Sequence, residues 1–180
     1  MTFKFDAVWK KITPELSQEI IEFWAAENAL PKTEKPELRA QQAVIAMRDE
    51  QGKLAAVCTA VIRVTPRLRQ PLYYYRTFCA EKFRGKNTSM PMMQASQKAL
   101  LDYNLGLEKP EAIGIFIEIE NQMIAGHYNA AFWPQTGFSF IGYSPRGLIL
   151  RAHYFPGFAL MKPAPLRQRQ SAQNRNTQAH

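Results

Sequence analysis

The sequence has very few of the residues that build disulfide scaffolds and metal sites. Only two of its 180 residues are cysteine and three are histidine, and no Cys/His cluster has the spacing of metal ligands. Cys58 and Cys79 each fall inside a predicted strand. We therefore exclude a disulfide-rich module and a zinc module, and we expect two reduced thiols in the core.

Long apolar runs are also missing. No run approaches the ~20 residues that a bilayer-spanning helix needs. The first residues, MTFKFDAVWKK, alternate charged and aromatic residues and lack the continuous apolar region and cleavage site of a secretory signal. We expect a cytoplasmic protein with no membrane partner.

Acidic residues are scarce beside basic ones, with 15 Asp and Glu against 23 Lys and Arg and a formal net charge of +8. Such a charge attracts phosphate backbones, so one interpretation is a nucleic-acid binder. Several cations lie in Lys162–His180, however, which is rich in Gln, Asn and Pro and has no apolar periodicity. No RNA-binding strand signature or helix-turn-helix accompanies them, so a nucleic-acid partner ranks last. We predict one domain over 1–161 and a basic, disordered tail over 162–180.

The remaining composition is that of a packed domain, with 46% hydrophobic and 12% aromatic residues. Periodicity and turn signals predict an α/β (α+β) chain with the element order β-α-α-β-β-β-α-β-α-β-β. The predicted strands cover 3–8, 43–48, 54–64, 72–79, 112–119, 138–143 and 148–155. Four helices are predicted. The first starts after Thr13, the second covers 37–42, the third follows residue 89 and the fourth covers 121–133. The nearly continuous apolar strand 112–119 is predicted to lie parallel to 72–79.

The most informative segment runs from a strand through a polar loop, Phe83–Ser89, into a helix. A helix N-terminus presents free backbone N–H groups that bind anions, and Arg84 and Lys86 add positive charge there. The loop also contains three good N-cap residues, Asn87, Thr88 and Ser89. We interpret the segment as a phosphate site; the alternative is an ordinary capped helix start.

The segment Arg84-Gly85-Lys86-Asn87-Thr88-Ser89 resembles the R-x-x-G-x-G/A loop of the GNAT acyltransferase superfamily, with Asn and Ser where the family has Gly and Gly/Ala. The predicted element order is also that of the family, from about Phe3 to Phe155. A second similarity is Phe132–Phe138, where an aromatic residue precedes Gly-Phe between a helix and a strand. The resemblance implies a mixed, mostly antiparallel central sheet with helices on both faces.

The resemblance also implies a function, transfer of an acyl group from acetyl-CoA or another acyl-CoA to an unidentified amine, as in an N-acetyltransferase. It implies that backbone N–H groups near Phe78, Cys79 and Ala80 hold the thioester carbonyl. The pyrophosphate would lie on the loop residues Arg84, Gly85, Lys86, Asn87, Thr88 and Ser89. Acceptor specificity would come from the loops 31–42 and 63–71. The alternative is a catalytically degenerate GNAT-fold binding or regulatory protein.

The resemblance also indicates where a catalytic acid and a catalytic base would lie. Glu118 and Glu120 share a strand face, and a carboxylate facing an apolar cleft would have a raised pKa suited to a general base. Glu120 fits a solvated strand edge equally well. The family often protonates the thiolate with a Tyr where this chain has Trp133, so Tyr128, beside His127, is our candidate acid.

Three consecutive tyrosines, Tyr73, Tyr74 and Tyr75, lie in the strand before the loop. Because side chains alternate along a strand, Tyr74 should face opposite to its neighbours. Such aromatic residues either line an acceptor pocket or belong to the core.

Overall fold

The computed structural model describes residues 2–121, 125–126 and 128–163. The strands of this part are β1 (Lys4–Ala7), β2 (Ala43–Arg48), β3 (Leu54–Val64), β4 (Pro71–Cys79), β5 (Gly114–Ile119), β6 (Phe132–Trp133), β7 (Phe138–Tyr143) and β8 (Ile149–Tyr154). Its helices are α1 (Pro14–Ala26), α2 (Pro36–Ala40) and α3 (Ser89–Leu105), with a 3-10 turn over Glu81–Phe83.

The strands form one sheet in the order β1-β2-β3-β4-β5-β8-β7-β6. Every neighbouring pair is antiparallel except β4 and β5, which are parallel. The long connection through α3 permits this, because parallel strands need a crossover. The predicted mixed, mostly antiparallel sheet and the parallel placement of the strand near 112–119 are both confirmed.

Helix α1 begins where the sequence predicts. The Thr13 hydroxyl accepts the N–H of Leu16 at 3.2 Å, and Pro14 occupies the first helical turn, where a missing N–H costs nothing. The helix buries Ile20 and Trp24 against the sheet. The first helix is therefore specified locally, by its cap and its apolar face.

Helices cover both faces of the sheet. Tyr73 and Tyr75 belong to the core cluster that contains Met92 and Leu100 of α3, and we call this side the α3 face. Phe78 packs on the opposite side with residues of α1 and α2, which we call the α1/α2 face. Tyr74 lies in a third cluster with Phe116, on the side away from α3, as predicted from strand alternation.

The predicted helix over 121–133 is only partly correct. Among the described residues of this segment, Ala125 and Gly126 are helical, whereas Phe132 and Trp133 pair with β7 as a strand. The Trp133 carbonyl accepts the N–H of Gly137 at 2.7 Å, and the positive φ of Gly137, +67°, lets the chain turn back. Residues 122–124 and 127, including His127, lie outside the described part.

Hydrogen bonds connect the last described residues to the loop before β4. Gln70 and Met161 exchange two hydrogen bonds, of 2.9 and 2.8 Å, between the Gln70 amide and the Met161 backbone. Of the predicted tail, residues 164–180 lie outside the described part. None of the helices in the described ranges has the length and apolar character to cross a membrane.

Candidate functional site

Strands β4 and β5 are paired only near their start. The parallel register contains Tyr73 with Ile115 and Tyr74 with Phe116, whereas β4 stays paired with β3 as far as Cys79. Within the described residues, β4 has no registered partner on its β5 side beyond Tyr74. The two strands therefore diverge, and we call the gap the β4/β5 opening.

The backbone donors that face this opening can be assigned from the β3 pairing. The N–H of Ala80 donates to the Ala55 carbonyl at 2.9 Å and so faces β3. Because N–H groups alternate along a strand, the N–H of Phe78 faces β3 too, while those of Thr77 and Cys79 face the opening. Of the three predicted carbonyl donors, only Cys79 has its N–H on the side of the opening, while the N–H groups of Phe78 and Ala80 are used in pairing with β3. The N–H of Thr77 also faces the opening, and backbone direction leaves no mark in a sequence.

The loop before α3 contains left-handed backbone at two of its predicted positions. Gly85 has φ of +76° and Asn87 has φ of +55°, as its tolerance of this region predicts. Thr88 follows at φ −82° and ψ −20°. A left-handed residue followed by a right-handed one turns successive N–H groups toward one point, which is an anion-binding arrangement.

The helix start itself differs from the predicted cap. Thr88 occupies the N-cap position of α3, but its side chain makes no capping hydrogen bond and is buried. Ser89 is the first helical residue rather than a cap. The first-turn N–H groups are thus not satisfied by Thr88, in contrast to Thr13 at the start of α1.

Three cations lie on the same loop. The Nε of Arg84 donates to the Cys79 carbonyl at 3.1 Å, which ties the loop to the end of β4. The Nζ atoms of Lys82 and Lys86 lie 4.5 and 5.4 Å from the ring centre of buried Phe83. This segment therefore combines positive charge with left-handed backbone beside the opening.

Both cysteines are free thiols, as predicted. Burial raises the pKa of Cys58 to about 11. Burial also raises the pKa of Cys79, which outweighs the opposing effect of a hydrogen bond with Thr88. Since the thiolate is the reactive form, neither cysteine has the ionisation of a nucleophile at neutral pH.

Glu118 is held by two partners on the side of the sheet away from α3. Its Oε2 accepts a hydrogen bond from Arg146 at 2.7 Å and from the Tyr74 hydroxyl at 3.3 Å. Burial by itself would raise the pKa of Glu118, but the hydrogen bonds and charge of Arg146, with Ser144, hold the pKa below its ordinary value. The predicted raised pKa is therefore wrong. Arg146 lies on the β7–β8 turn, 28 residues away, where no strand pattern could reveal it.

Glu120 shares the same arginine. Its Oε1 lies 2.8 Å from the Arg146 guanidinium. The side chain of Glu120 is 63% exposed, against 12% for Glu118. Glu120 therefore lies at a solvated edge of the sheet, which is the second of the two positions expected for it. One guanidinium therefore bridges two carboxylates at this edge of the sheet.

Tyr128 is half-exposed and lies near Trp133, with 5.8 Å between the ring centres. Its carbonyl accepts hydrogen bonds from the Trp133 indole at 3.1 Å and from Arg151 at 3.0 Å. Trp133 packs toward Phe138 of the core beneath α3. The structure therefore places Tyr128 on the α3 face and Glu118 on the other face.

Arg151 is a buried arginine that the sequence analysis missed. It is 1% exposed and donates to the carbonyls of Tyr128, Ala130 and Ala131 at 3.0, 2.6 and 3.3 Å. Its guanidinium also lies 4.1 Å from the ring centre of Trp133. Arg151 therefore anchors the segment that carries the candidate acid.

A second set of polar side chains lies around Tyr74. It contains Arg39, Arg63 and Arg76, which we call the arginine cluster. Glu34 bonds Arg76 at 2.7 Å and lies 3.7 Å from Arg39. The guanidinium carbons of Arg63 and Arg76 are 4.3 and 5.4 Å from the Tyr74 ring centre. The cluster was not predicted, although Glu34, Arg39 and Arg63 fall in the two loops to which acceptor specificity was assigned.

No protein-family model and no curated protein matches the chain. Solved structures do. Arabidopsis thaliana NAA60 in complex with acetyl-CoA aligns with a TM-score of 0.56 at 15% identity, over 86% of this chain and 100% of that one. A GNAT-family acetyltransferase from Streptococcus pneumoniae aligns with 0.54 at 11% identity, over 86% and 99%. One from Listeria monocytogenes aligns with 0.51 at 17% identity, over 85% and 95%. The chain therefore has the fold of the GNAT acetyltransferases.

Proposed function

We propose that this chain transfers an acyl group from an acyl-coenzyme A, with acetyl-CoA as the first candidate, to an amine. The observation that carries the proposal is the β4/β5 opening, which lies directly before the cationic loop and the uncapped start of α3. An acyl-CoA needs both features, because its thioester is uncharged and its pyrophosphate is anionic. The structural likeness to NAA60 bound to acetyl-CoA supports the same ligand.

Each end of the ligand has donors in this arrangement. The N–H groups of Thr77 and Cys79 face the opening and would bind the thioester carbonyl, where negative charge develops during attack. The backbone of Gly85 to Ser89 would receive the pyrophosphate, with Arg84 and Lys86 supplying charge. Left-handed φ at Gly85 and Asn87 would turn these N–H groups toward the pyrophosphate.

The reaction moves two protons. The ammonium of the acceptor gives one proton to a base, and its nitrogen then attacks the carbonyl carbon and forms the C–N bond. As the C–S bond breaks, the nitrogen loses its second proton, so that the product is a neutral amide. The thiolate that leaves takes up a proton and becomes the free thiol of coenzyme A. We assign the base to Glu118, whose pKa is lowered mainly by Arg146; displacement of Arg146 removes that effect, and burial, which raises the pKa, then makes the carboxylate a better proton acceptor. We assign the acid to Tyr128, which Arg151 and Trp133 hold in place.

Calorimetric titration with acetyl-CoA and with desulfo-CoA tests the binding step. Wild type should bind both, and Arg84→Glu should weaken binding about 10- to 100-fold, the loss typical of a charge-assisted hydrogen bond. Arg67→Glu is the matched control, because Arg67 is also exposed and also donates to a backbone carbonyl, that of Ile141, at 3.2 Å. No binding by wild type, or equal loss in both variants, contradicts the proposal.

A binding or regulatory module is the second candidate. It is favoured by the ion pair of Glu118 with Arg146, which occupies the proposed base, and by Trp133 at the position where the family often has a Tyr. The two candidates differ in turnover. If the protein binds acetyl-CoA but releases no thiol with any member of an amine panel, the module is the better description.

A further inference from the structure

Several buried polar atoms near the arginine cluster have no hydrogen-bond partner within the described part of the chain. They are Trp24 Nε1, Arg39 Nε, Thr59 Oγ1 and Arg76 Nε. Buried polar groups are normally satisfied, so such a group of exceptions needs an explanation. Three of the four atoms are obligate donors, and the fourth is a hydroxyl that can also donate.

These atoms belong to one neighbourhood. The Arg39 guanidinium lies 5.7 Å from the Trp24 ring centre, and both Arg39 and Arg76 contact Glu34. Thr59 is the cross-strand partner of Arg76, so the two side chains stand next to each other on the same face. This neighbourhood therefore has more hydrogen-bond donors than its own acceptor oxygens satisfy, which favours a ligand that brings acceptor oxygens to the arginine cluster.

The local charge points the same way. Arg76 and Arg39 both contact the carboxylate of Glu34, and the third guanidinium, that of Arg63, lies over the ring of Tyr74. Burial lowers the pKa of Arg39, and the positive charge of Arg76 lowers it further. The cluster therefore has an excess of positive charge that one more carboxylate would reduce.

Negative charge lies on the other side of Tyr74 from the arginine cluster. Arg63 and Arg76 lie over the ring of Tyr74, and the hydroxyl of the same residue donates to Glu118. Beyond it, Glu118 and Glu120 share the single guanidinium of Arg146. The sheet thus presents a cationic end and an anionic end on either side of Tyr74.

We propose that the acceptor is a zwitterion, an amine that also carries a carboxylate, as an amino acid does. Its carboxylate binds the arginine cluster and its ammonium takes the place of Arg146 between Glu118 and Glu120. This inference rests on the proposed function for the reaction, but the binding of the zwitterion does not depend on it. Arg146 then acts as an internal stand-in for the substrate cation.

The test compares each of the twenty amino acids with its own carboxamide. The two members of a pair have the same side chain and the same amino group, and the carboxamide lacks the negative charge. Thiol release from acetyl-CoA and calorimetric binding to the coenzyme A-saturated protein are measured for both members. We expect at least one amino acid to be preferred over its carboxamide by 10-fold or more, and Arg76→Gln to abolish that preference while leaving acetyl-CoA affinity unchanged.

Arg48→Gln is the matched control. Its side chain has the same 21% exposure as that of Arg76 and also pairs with carboxylates, Glu19 at 2.6 Å and Asp6 at 3.2 Å, but on β2. It should retain the preference. If Arg76→Gln folds poorly, Arg76→Lys replaces it as the test variant. Because lysine keeps the positive charge, Arg76→Lys should retain part of the preference for the amino acid.

The outcomes separate the two proposals. If carboxamides or plain amines are acetylated as well as amino acids, the zwitterion is wrong although the acyltransferase proposal stands. If acetyl-CoA does not bind, the acyltransferase proposal fails, and calorimetry of amino acids with the free protein still decides the inference. Equal binding of amino acids and carboxamides in every pair overturns it.

Discussion

Replacing Arg151 with methionine should destabilise the protein and release the segment that carries Tyr128. Arg151 is 1% exposed, and the partners that the described residues supply to it are three carbonyls and one indole ring, with no carboxylate. Methionine has a similar length and fills much of the same volume. The substitution therefore removes the charge and the hydrogen bonds without opening a large cavity.

Two opposing effects set the magnitude. Each hydrogen bond from a charged donor contributes ~1.5–3 kcal/mol, so three give roughly 5–9 kcal/mol of gross loss. Residues 128–131 are exposed, so water can replace part of this, and removing a buried charge relieves several kcal/mol of desolvation. We expect a net loss of about 2–4 kcal/mol, which lowers the thermal midpoint by roughly 4–16 °C in a chain of this size.

Thermal unfolding and amide hydrogen exchange check this prediction together. Arg151→Met should lower the midpoint and increase exchange in the segment 128–133 before the rest of the sheet. Arg67→Met is the control, because it also removes an arginine bonded to a carbonyl but at an exposed site, and it should stay within about 0.5 kcal/mol of wild type. An unchanged midpoint with unchanged exchange for Arg151→Met would refute the anchoring role.

Three further predictions concern ionisation, the acid and the domain boundary. The pKa of Glu118 is lowered in the folded protein, so its ionised form stabilises the fold above its ordinary pKa, and this contribution is lost as pH falls through the folded pKa. Glu118→Gln should therefore make the free energy of unfolding depend less steeply on pH in the acid range. The same dependence in both proteins would contradict the assigned pKa shift. Tyr128→Phe keeps the ring and should fold normally, while turnover falls roughly 10²-fold if the hydroxyl donates the proton; wild-type turnover would show that the acid is another group. Truncation after Pro163 should leave the thermal midpoint nearly unchanged, and a large drop would place the domain boundary further along the chain.

The elements that could be predicted from the sequence are those with local causes. Thr13 and Pro14 start α1 through a cap and a preset φ, and Gly52, with φ of +78°, closes the β2–β3 turn. The parallel strand β5 was readable because its apolar residues are nearly continuous. In contrast, Phe132 and Trp133 are part of a short apolar run with no distinct period. Their strand pairing with β7 is decided by a tertiary partner.

The features of the candidate site that lie in one loop can be read from the sequence, whereas those that several segments build cannot. The loop near Arg84 is contiguous, so charge, glycine and cap residues were visible together. Arg76 and Glu34 are 42 residues apart and meet only because the fold brings the segment before α2 next to β4. The pKa of Glu118 was predicted in the wrong direction for the same reason, since its main partner, Arg146, comes from a distant turn.

The proposed mechanism depends on where the sheet opens. A closed sheet would separate Glu118 on one face from Tyr128 on the other, and the two could not act on the same reacting atoms. Parallel pairing ends at Tyr74 and Phe116, and Glu118 is the next residue of β5 on the same face as Phe116. A thioester held between the diverging strands would therefore meet the base from one face and the acid from the other. In the proposed mechanism, proton removal from the amine and proton delivery to the thiolate would then take place on opposite faces of the sheet.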